Sequence, residues 1–218
     1  YGYAHLPERF KPQRRIVVVD LPGAANKVAM LARALAAFDA AGYDYIGMDH
    51  FALPDDALAV AKRQGRLHRN FQGYSTQPDC DLIGLGVSAI GKIGATYSQN
   101  AKSLEDYQDL LDQGHLPVVR GLAVSRDDLL RRAVIMALMC QGEVLYESIE
   151  LSHLINFREY FASELQALRG MQEQGLVRLT DTGIEVTSMG WFFVRGVAMV
   201  FDKYLQADRT RARFSKII

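Results

Sequence analysis

Apolar residues recur at helical spacing in several stretches, and short apolar runs ending near glycine separate them. Residues 26–41 carry Val28, Leu31, Leu35 and Phe38 on one helical face, with Gly42 as the stop. Tyr43 to Met48 then reads as a short strand. Residues 54–64 open with Pro54, Asp55 and Asp56 and close with Lys62, Arg63 and Gly65, an order that suits the helix dipole and the Pro-in, Gly-out asymmetry of helix ends. Asp81 to Leu85 is the next strand, and Val87 to Ile93 leads away from it. Ser103-Leu104-Glu105-Asp106 opens a helix that runs to Gly114, ahead of Pro117. Strand and helix in alternation predict a parallel sheet, where ligands sit at the C-terminal ends of strands. Three loops would then face the ligand: Ala4 to Pro7, Met48 to Leu53, and Gly84 to Ile90.

The pattern changes near residue 120. Ser125-Arg126-Asp127-Asp128 caps a helix that runs through Val134 and Met136 to about Gln141. A second helix spans about 156–174, with Tyr160, Phe161, Leu165, Leu168 and Met171 on one side and Gly175 as its stop. Leu176 to Thr180, the turn Asp181-Thr182-Gly183, and Ile184 to Thr187 form a hairpin. Trp191 through Leu205 closes the pattern with a strongly apolar helix. Helix, helix, hairpin, helix is the outline of a winged-helix-type module, and Trp191, Phe192 and Phe193 are assigned to its core or to a domain interface.

Composition narrows the function classes. Of 218 residues, 49% are hydrophobic and 23% charged, an ordinary globular balance, and 25 basic residues match 25 acidic ones. Zero formal charge argues against a nucleic-acid coat. The 156–174 helix mixes Arg158 and Arg169 with Glu159, Glu164 and Glu173, which is a solvated face rather than a phosphate-binding one. Cys80 and Cys140 form neither a ligand spacing nor a disulfide framework, so a reducing cytoplasm suits them. No apolar run approaches the ~20 residues of a membrane span. Tyr1-Gly2-Tyr3-Ala4-His5-Leu6-Pro7 resembles the end of a buried strand, and the chain is expected to be a fragment of a larger protein.

Most candidate motifs have plainer explanations. Gly84-Leu85-Gly86-Val87-Ser88-Ala89 fits a dinucleotide fingerprint, but Glu105 and Asp106, near the distance required of its acidic partner, are explained by helix capping. Tight packing of strand against turn is the default there. Asp181-Thr182-Gly183 matches the triplet of aspartic proteases, but as a hairpin turn it is ordinary. Asp49-His50 sits on the expected ligand-facing rim, where a structural role for the imidazole outweighs an acid/base or metal role.

Longer motifs carry a resemblance. Tyr3-Ala4-His5-Leu6-Pro7, Gly47-Met48-Asp49-His50-Phe51-Ala52, His68-Arg69-Asn70-Phe71-Gln72-Gly73-Tyr74, Asp81 to Ile90, and the final Phe214-Ser215-Lys216-Ile217-Ile218 together resemble oxygen-independent coproporphyrinogen III oxidase, a radical SAM family. The resemblance covers the whole chain and implies the C-terminal half of such an enzyme. The fold class is then α/β: the later part of a partial (β/α) radical SAM barrel over residues 1–118, followed by a helical, winged-helix-like cover domain over 119–218. The family decarboxylates two propionates of coproporphyrinogen III to vinyl groups, giving protoporphyrinogen IX. It uses S-adenosyl-L-methionine, a [4Fe–4S] cluster and an electron acceptor whose identity is open. The cluster motif, CxxxCxxC with a nearby fourth cysteine, is absent here, so the cluster ligands belong to an N-terminal half outside this segment. The segment alone is expected to be inactive. By position, Ala4 and Ile90 match residues contacting the cluster-bound S-adenosylmethionine, and Phe71 and Gln72 match the loop near a second one. No catalytic residue and no metal ligand is expected in the segment. A non-catalytic haem-binding relative and a winged-helix nucleic-acid binder are the alternatives.

Overall fold

The computed structural model describes residues 5–8 and 10–207. Ala4 and the basic C-terminal tail, with its closing motif, lie outside the described residues.

Helix α1, Ala24–Ala40, follows two short 3-10 turns and buries none of its residues. Phe38, near its end, stacks on Phe51 at 4.1 Å and meets Tyr43 edge-on at 5.7 Å. Strands β1, Asp44–Gly47, and β2, His50–Ala52, form a tight hairpin turning at Met48-Asp49, where Met48 has φ 50°. Helix α2, Ala57–Arg63, starts at Asp56, whose carboxylate accepts a hydrogen bond from the Leu58 amide. Lys62 at its far end donates to the Tyr45 carbonyl at 2.5 Å and lies over the Trp191 ring at 4.8 Å. Strands β3, His68–Arg69, and β4, Tyr74–Ser75, make a two-stranded ribbon around the Phe71 loop. Strands β5, Ile90–Ile93, β6, Thr96–Asn100, and β7, Val118–Ala123, form a meander with helix α3, Leu104–Asp112, inserted before β7.

Helix α4, Arg126–Gln141, begins with a reciprocal capping box between Ser125 and Asp128. It ends at Gly142, in a left-handed conformation at φ 72°, where a Cβ would lie 2.7 Å from the Trp191 ring. Strand β8, Glu143–Leu145, and helices α5, Tyr146–His153, α6, Phe157–Tyr160, and α7, Ala162–Glu173, follow. The hairpin of β9, Val177–Leu179, and β10, Gly183–Val186, completes a three-stranded antiparallel sheet ordered β8-β10-β9. Helices α8, Val194–Ala198, and α9, Lys203–Ala207, close the described chain, each preceded by a 3-10 turn.

Helix α4 is the axis of the core. Leu130, Val134, Leu138, Met139 and Cys140 are all buried on it, and it packs against β3, β8, α5 and α8. Phe157, Phe161, Phe201 and Leu168 fill the space beyond, each fully buried. Their apolar burial supplies the main driving force, about 1.5–3 kcal/mol for a large side chain. The same hydrophobic cluster takes in Ile46, Ala59, Leu67 and Tyr74 from the earlier segments. One network of charges fastens α9 to this core: Lys203 pairs with Asp127 at 2.7 Å and Asp128 at 2.6 Å, and Arg131 joins Asp127 to Glu164 and to the Phe201 carbonyl.

Several expectations are corrected. Every strand pairing among the described residues is antiparallel, in small sheets of two or three strands, so the expected parallel sheet is not what these residues form. The expected strand Asp81 to Leu85 makes only an isolated bridge between Leu82 and Lys92, with Ile83 and Leu85 largely exposed. The expected helix over 156–174 breaks at Phe161, whose φ of −105° and ψ of 29° leave helical geometry so that its ring enters the core. The expected continuous apolar helix Trp191–Leu205 is a series of short 3-10 turns and α-helices, and Asp202, extended at ψ 98°, interrupts it before capping α9. In both cases tertiary burial outweighs local helical preference. Strand β2 falls within the expected loop Met48 to Leu53, and β3, β4, β6, β7, β8 and helix α5 have no counterpart among the expected elements. The α1, α3 and α4 helices and the β9–β10 hairpin stand where periodicity put them.

Candidate functional site

A cavity of about 620 Å³ opens between the β3–β4 loop, the face of the β5–β6–β7 sheet, helix α4 and the chain around α8. That volume falls within the range of roughly 300–1,000 Å³ usual for small-molecule sites. Its interior is apolar. Ile135, Met136 and Met139 of α4 face it at successive helical positions, opposite Ala198 and Met199. Met48, held in the left-handed region at the tip of the β1–β2 hairpin, and Leu82 add to the wall.

The strand register decides which predicted residues share this space. Ile90 pairs with Gln99 and Lys92 with Tyr97, and in an antiparallel ladder directly opposed residues and those two apart share a face. Ile90, Lys92, Tyr97 and Gln99 are therefore on one side of the sheet. Lys92 and Tyr97 line the cavity, and Phe71 meets the Tyr97 ring edge-on at 5.5 Å. Phe71 is 52% exposed, leaving an aromatic surface open. Of the four residues expected near S-adenosylmethionine, Phe71 lines the cavity, while Ile90 shares the sheet face of Lys92 and Tyr97 without lining it. Gln72 is exposed at the loop tip and does not line the cavity; its backbone N–H donates to Asn70 Oδ1 at 2.9 Å, fixing the turn. Ala4 lies outside the described residues.

The glycine-rich turn serves a different purpose from the one its composition suggests. A Cβ on Gly84 would sit 2.7 Å from the Ile90 carbonyl oxygen. Asn100, the buried polar residue of the described chain, donates its side-chain amide to the carbonyls of Gly84 and Gly86, both at 3.0 Å. The Gly86 N–H donates to the Tyr107 hydroxyl at 3.1 Å. At Gly84 the close approach is of the chain to itself, whereas a Cβ on Gly86, at φ 100°, would meet nothing within 4 Å. At Asp49-His50, the imidazole meets Tyr74 edge-on at 5.1 Å and leaves its buried Nδ1 without a hydrogen-bond partner.

Sequence reasoning missed the charges of the cavity. Asp79 is gripped by both Arg132 guanidinium nitrogens at 2.5 Å and also pairs with Lys92. The hydrogen bond from Arg132, ahead of the opposing effect of burial, holds the Asp79 carboxyl well below the usual range. This strut ties α4 to the sheet across a separation of 53 residues from Asp79 to Arg132. Arg69 lies over the Tyr74 ring at 4.8 Å with its buried Nη1 lacking a hydrogen-bond partner, and Arg195 is exposed at the cavity and pairs with no carboxylate among the described residues. Four cationic side chains therefore face the cavity against two carboxylates, Asp79 and Asp202, and Asp202 is engaged by the amides of Tyr204 and Leu205. Clustered cations around an apolar interior can hold an anionic ligand with a large apolar body. No sequence signal announces this, because Arg69, Lys92, Arg132 and Arg195 are far apart in the chain and each sits on a different element.

The redox groups fare differently from one another. Among the described residues no three His, Cys, Asp or Glu side chains converge as a metal site, so these residues do not fit an iron–sulfur cluster. Cys140 is buried and its thiol is pushed up to about 11 by that burial, while Cys80 is exposed on the cavity wall. The open Phe71 ring and the Ile90 face do fit one side of an adenosyl group. No described helix is long and apolar enough to cross a membrane.

Comparisons with known proteins place the chain among its relatives. The family described as HemN C-terminal domain matches residues 124–193. The oxygen-independent coproporphyrinogen III oxidase of Pseudomonas aeruginosa is 53% identical over 218 residues, covering 100% of this chain and 47% of that protein. Its namesake in Thermostichus vulcanus is 44% identical over 219 residues and is matched over 67% of its length. A solved structure described as coproporphyrinogen III oxidase (HemN) from Escherichia coli, a radical SAM enzyme, superposes with a TM-score of 0.88 at 47% identity, covering 93% of this chain and 47% of that one. The chain spans about half the length of the Pseudomonas protein.

Proposed function

The chain belongs to the oxygen-independent coproporphyrinogen III oxidase family, and from that membership we propose that it is the C-terminal part of a radical SAM enzyme. The reaction proposed for the intact protein is oxidative decarboxylation of two propionates of coproporphyrinogen III, giving the vinyl groups of protoporphyrinogen IX in haem biosynthesis. The observation that carries the proposal is likeness along the entire chain, 53% identity over all 218 residues, joined to a cavity of matching character.

Residues 1–118 are proposed to contribute the later pieces of a partial barrel, and 119–218 a winged-helix-like cover. The apolar residues that α1 and its approach leave exposed support this: Val18 is 65% exposed, Val19 86% and Met30 61%, a surface suited to packing against the other half of the relatives. When bound, S-adenosylmethionine and a reduced [4Fe–4S] cluster supply the one-electron chemistry that begins each propionate oxidation. The cluster ligands are assigned to the remainder of the protein. Within this chain, Phe71 offers its open face and Ile90 its apolar side chain to S-adenosylmethionine, with Ala4 and Gln72 assigned by position. Helix α4 and the α8 segment supply the apolar wall of the cavity, and a wall of that kind, closed by the rest of the protein, protects a carbon radical from quenching. Partners are the porphyrinogen, the N-terminal half and an electron acceptor. A cytoplasmic location, supported by two unpaired thiols, belongs to the same proposal.

Anaerobic incubation of the intact protein with S-adenosylmethionine, a reductant and coproporphyrinogen III is the test. Formation of 5′-deoxyadenosine together with a vinyl-bearing porphyrinogen is expected. Deoxyadenosine without any vinyl product would overturn the substrate, and neither product with an intact cluster would overturn the enzyme. Gln72→Ala is expected to raise KM for S-adenosylmethionine about threefold to tenfold, the loss of one or so hydrogen bonds, with an unchanged melting temperature.

A further inference from the structure

The cavity carries more cationic character than the cofactor face requires. Lys92 and Arg132 are satisfied by Asp79, while Arg195 and Arg69 pair with no carboxylate among the described residues. Arg195 belongs to α8 and Arg69 to β3, so they reach the cavity from different elements. The same cavity is lined by the thioethers of Met136, Met139 and Met199, a surface that adapts readily to a flat ring system. A porphyrinogen is an apolar macrocycle bearing carboxylate arms, and this arrangement is its complement.

We propose that the cavity is the substrate's carboxylate subsite, in which Arg195 and Arg69 each receive a propionate and the Arg132–Asp79–Lys92 strut holds the wall they act across. The subsite rests on the coproporphyrinogen assignment made above. Guanidinium suits the task because its fork matches a carboxylate's two oxygens and stays charged at any working pH. Arg69 is pre-set by its stacking on Tyr74. Arg195, exposed and unpaired, is free to close onto a propionate as it enters. The strut has a second consequence: with Asp79 already occupying the Arg132 fork, a substrate carboxylate is directed away from Arg132 and toward the two unpaired arginines.

The test uses the intact protein and reads binding rather than turnover. Coproporphyrin III, the fluorescent tetracarboxylate, is titrated alongside its tetramethyl ester, which keeps the ring and loses the charges. Arg195→Gln and Arg69→Gln are each expected to weaken coproporphyrin III binding about tenfold or more, the usual effect of losing a charge-assisted hydrogen bond. Ester binding should stay the same. Arg195→Lys should recover part of the loss, which a folding defect would not allow. Asp79→Asn should shift carboxylate selectivity by freeing the Arg132 fork. Tight binding of coproporphyrin III by the unsubstituted protein, with equal affinity in both arginine variants, would overturn the subsite and leave the enzyme assignment standing. Failure of the unsubstituted protein to bind either porphyrin would overturn the assignment itself, and the subsite with it.

Discussion

Asp79 shows how one residue sets the acid limit of this structure. Its carboxyl, like those of Asp127, Asp128 and Glu164, is held below the ordinary range. For Asp79 the Arg132 hydrogen bond is the leading cause. For the other three, burial acts upward and is outweighed by hydrogen bonds, from Lys203 to the two aspartates and from Ser163 and Arg131 to Glu164. A depressed carboxylate contributes stability that is fully present above its unfolded pKa of about 4 and is lost as pH falls toward the folded value. The urea midpoint of the chain should therefore hold from pH 7 to about 5 and decline below about 4. Asp79→Asn should flatten part of that decline, at a cost at neutral pH of about 1 kcal/mol once solvent screening of this half-exposed carboxylate is allowed for. Tyr74→Phe tests a buried contact: its hydroxyl donates to the Met139 carbonyl at 2.8 Å, and its loss should lower stability by about 1 kcal/mol in urea titration. Phe71 and Ile90 enter as a pair only through the family resemblance; the structure adds that Ile90 shares a sheet face with Tyr97, the ring that Phe71 meets. The strut was not, since Asp79 and Arg132 lie in unrelated patterns and meet only through the sheet register and the tilt of α4.

At the scale of elements, caps were read well and interruptions poorly. Ser103, Ser125 and Asp56 each accept the amide hydrogen bond that their residue type and position imply. The periodicity over 156–174 is real, yet it spans two helices, because burying Phe161 among Phe157, Tyr160 and Phe201 requires a break in the backbone. Phe161→Ala should accordingly cost about 3–5 kcal/mol, far more than any exposed substitution in α7, as measured by denaturant unfolding. The parallel-sheet expectation failed for a related reason. Strand and helix alternated in the sequence, but the intervening segments return as hairpins and a meander, and alternation of types does not determine strand direction. Strands of two or three residues, such as β3, β4 and β8, are too short for any periodicity to reveal.

At the scale of the whole molecule, burial is distributed unevenly. The region around α4 encloses fully buried aromatic and aliphatic side chains, whereas α1 buries none and every residue of β7 is exposed. Apolar spacing does not announce this contrast, since α1 carries Val28, Leu31, Leu35 and Phe38 at helical positions and still buries none of them. Hydrogen exchange offers a direct check. Amides of α4, α7 and β10 are expected to be protected in this chain alone, and amides of α1 and β7 to gain protection only in the intact protein. Equal protection of α1 in both would show that its apolar face needs no covering half.

The placement of the two thiols gives the chain a built-in chemical address. Cys140 is buried on the core side of α4 with its proton firmly held, while Cys80 stands at the cavity wall beside Asp79. A maleimide fluorophore should therefore attach to Cys80 first within this chain, and an occupant of the cavity should slow that attachment. Peptide mapping after brief labelling, with and without coproporphyrin III, turns an unremarkable surface cysteine into a gauge of who is in the room.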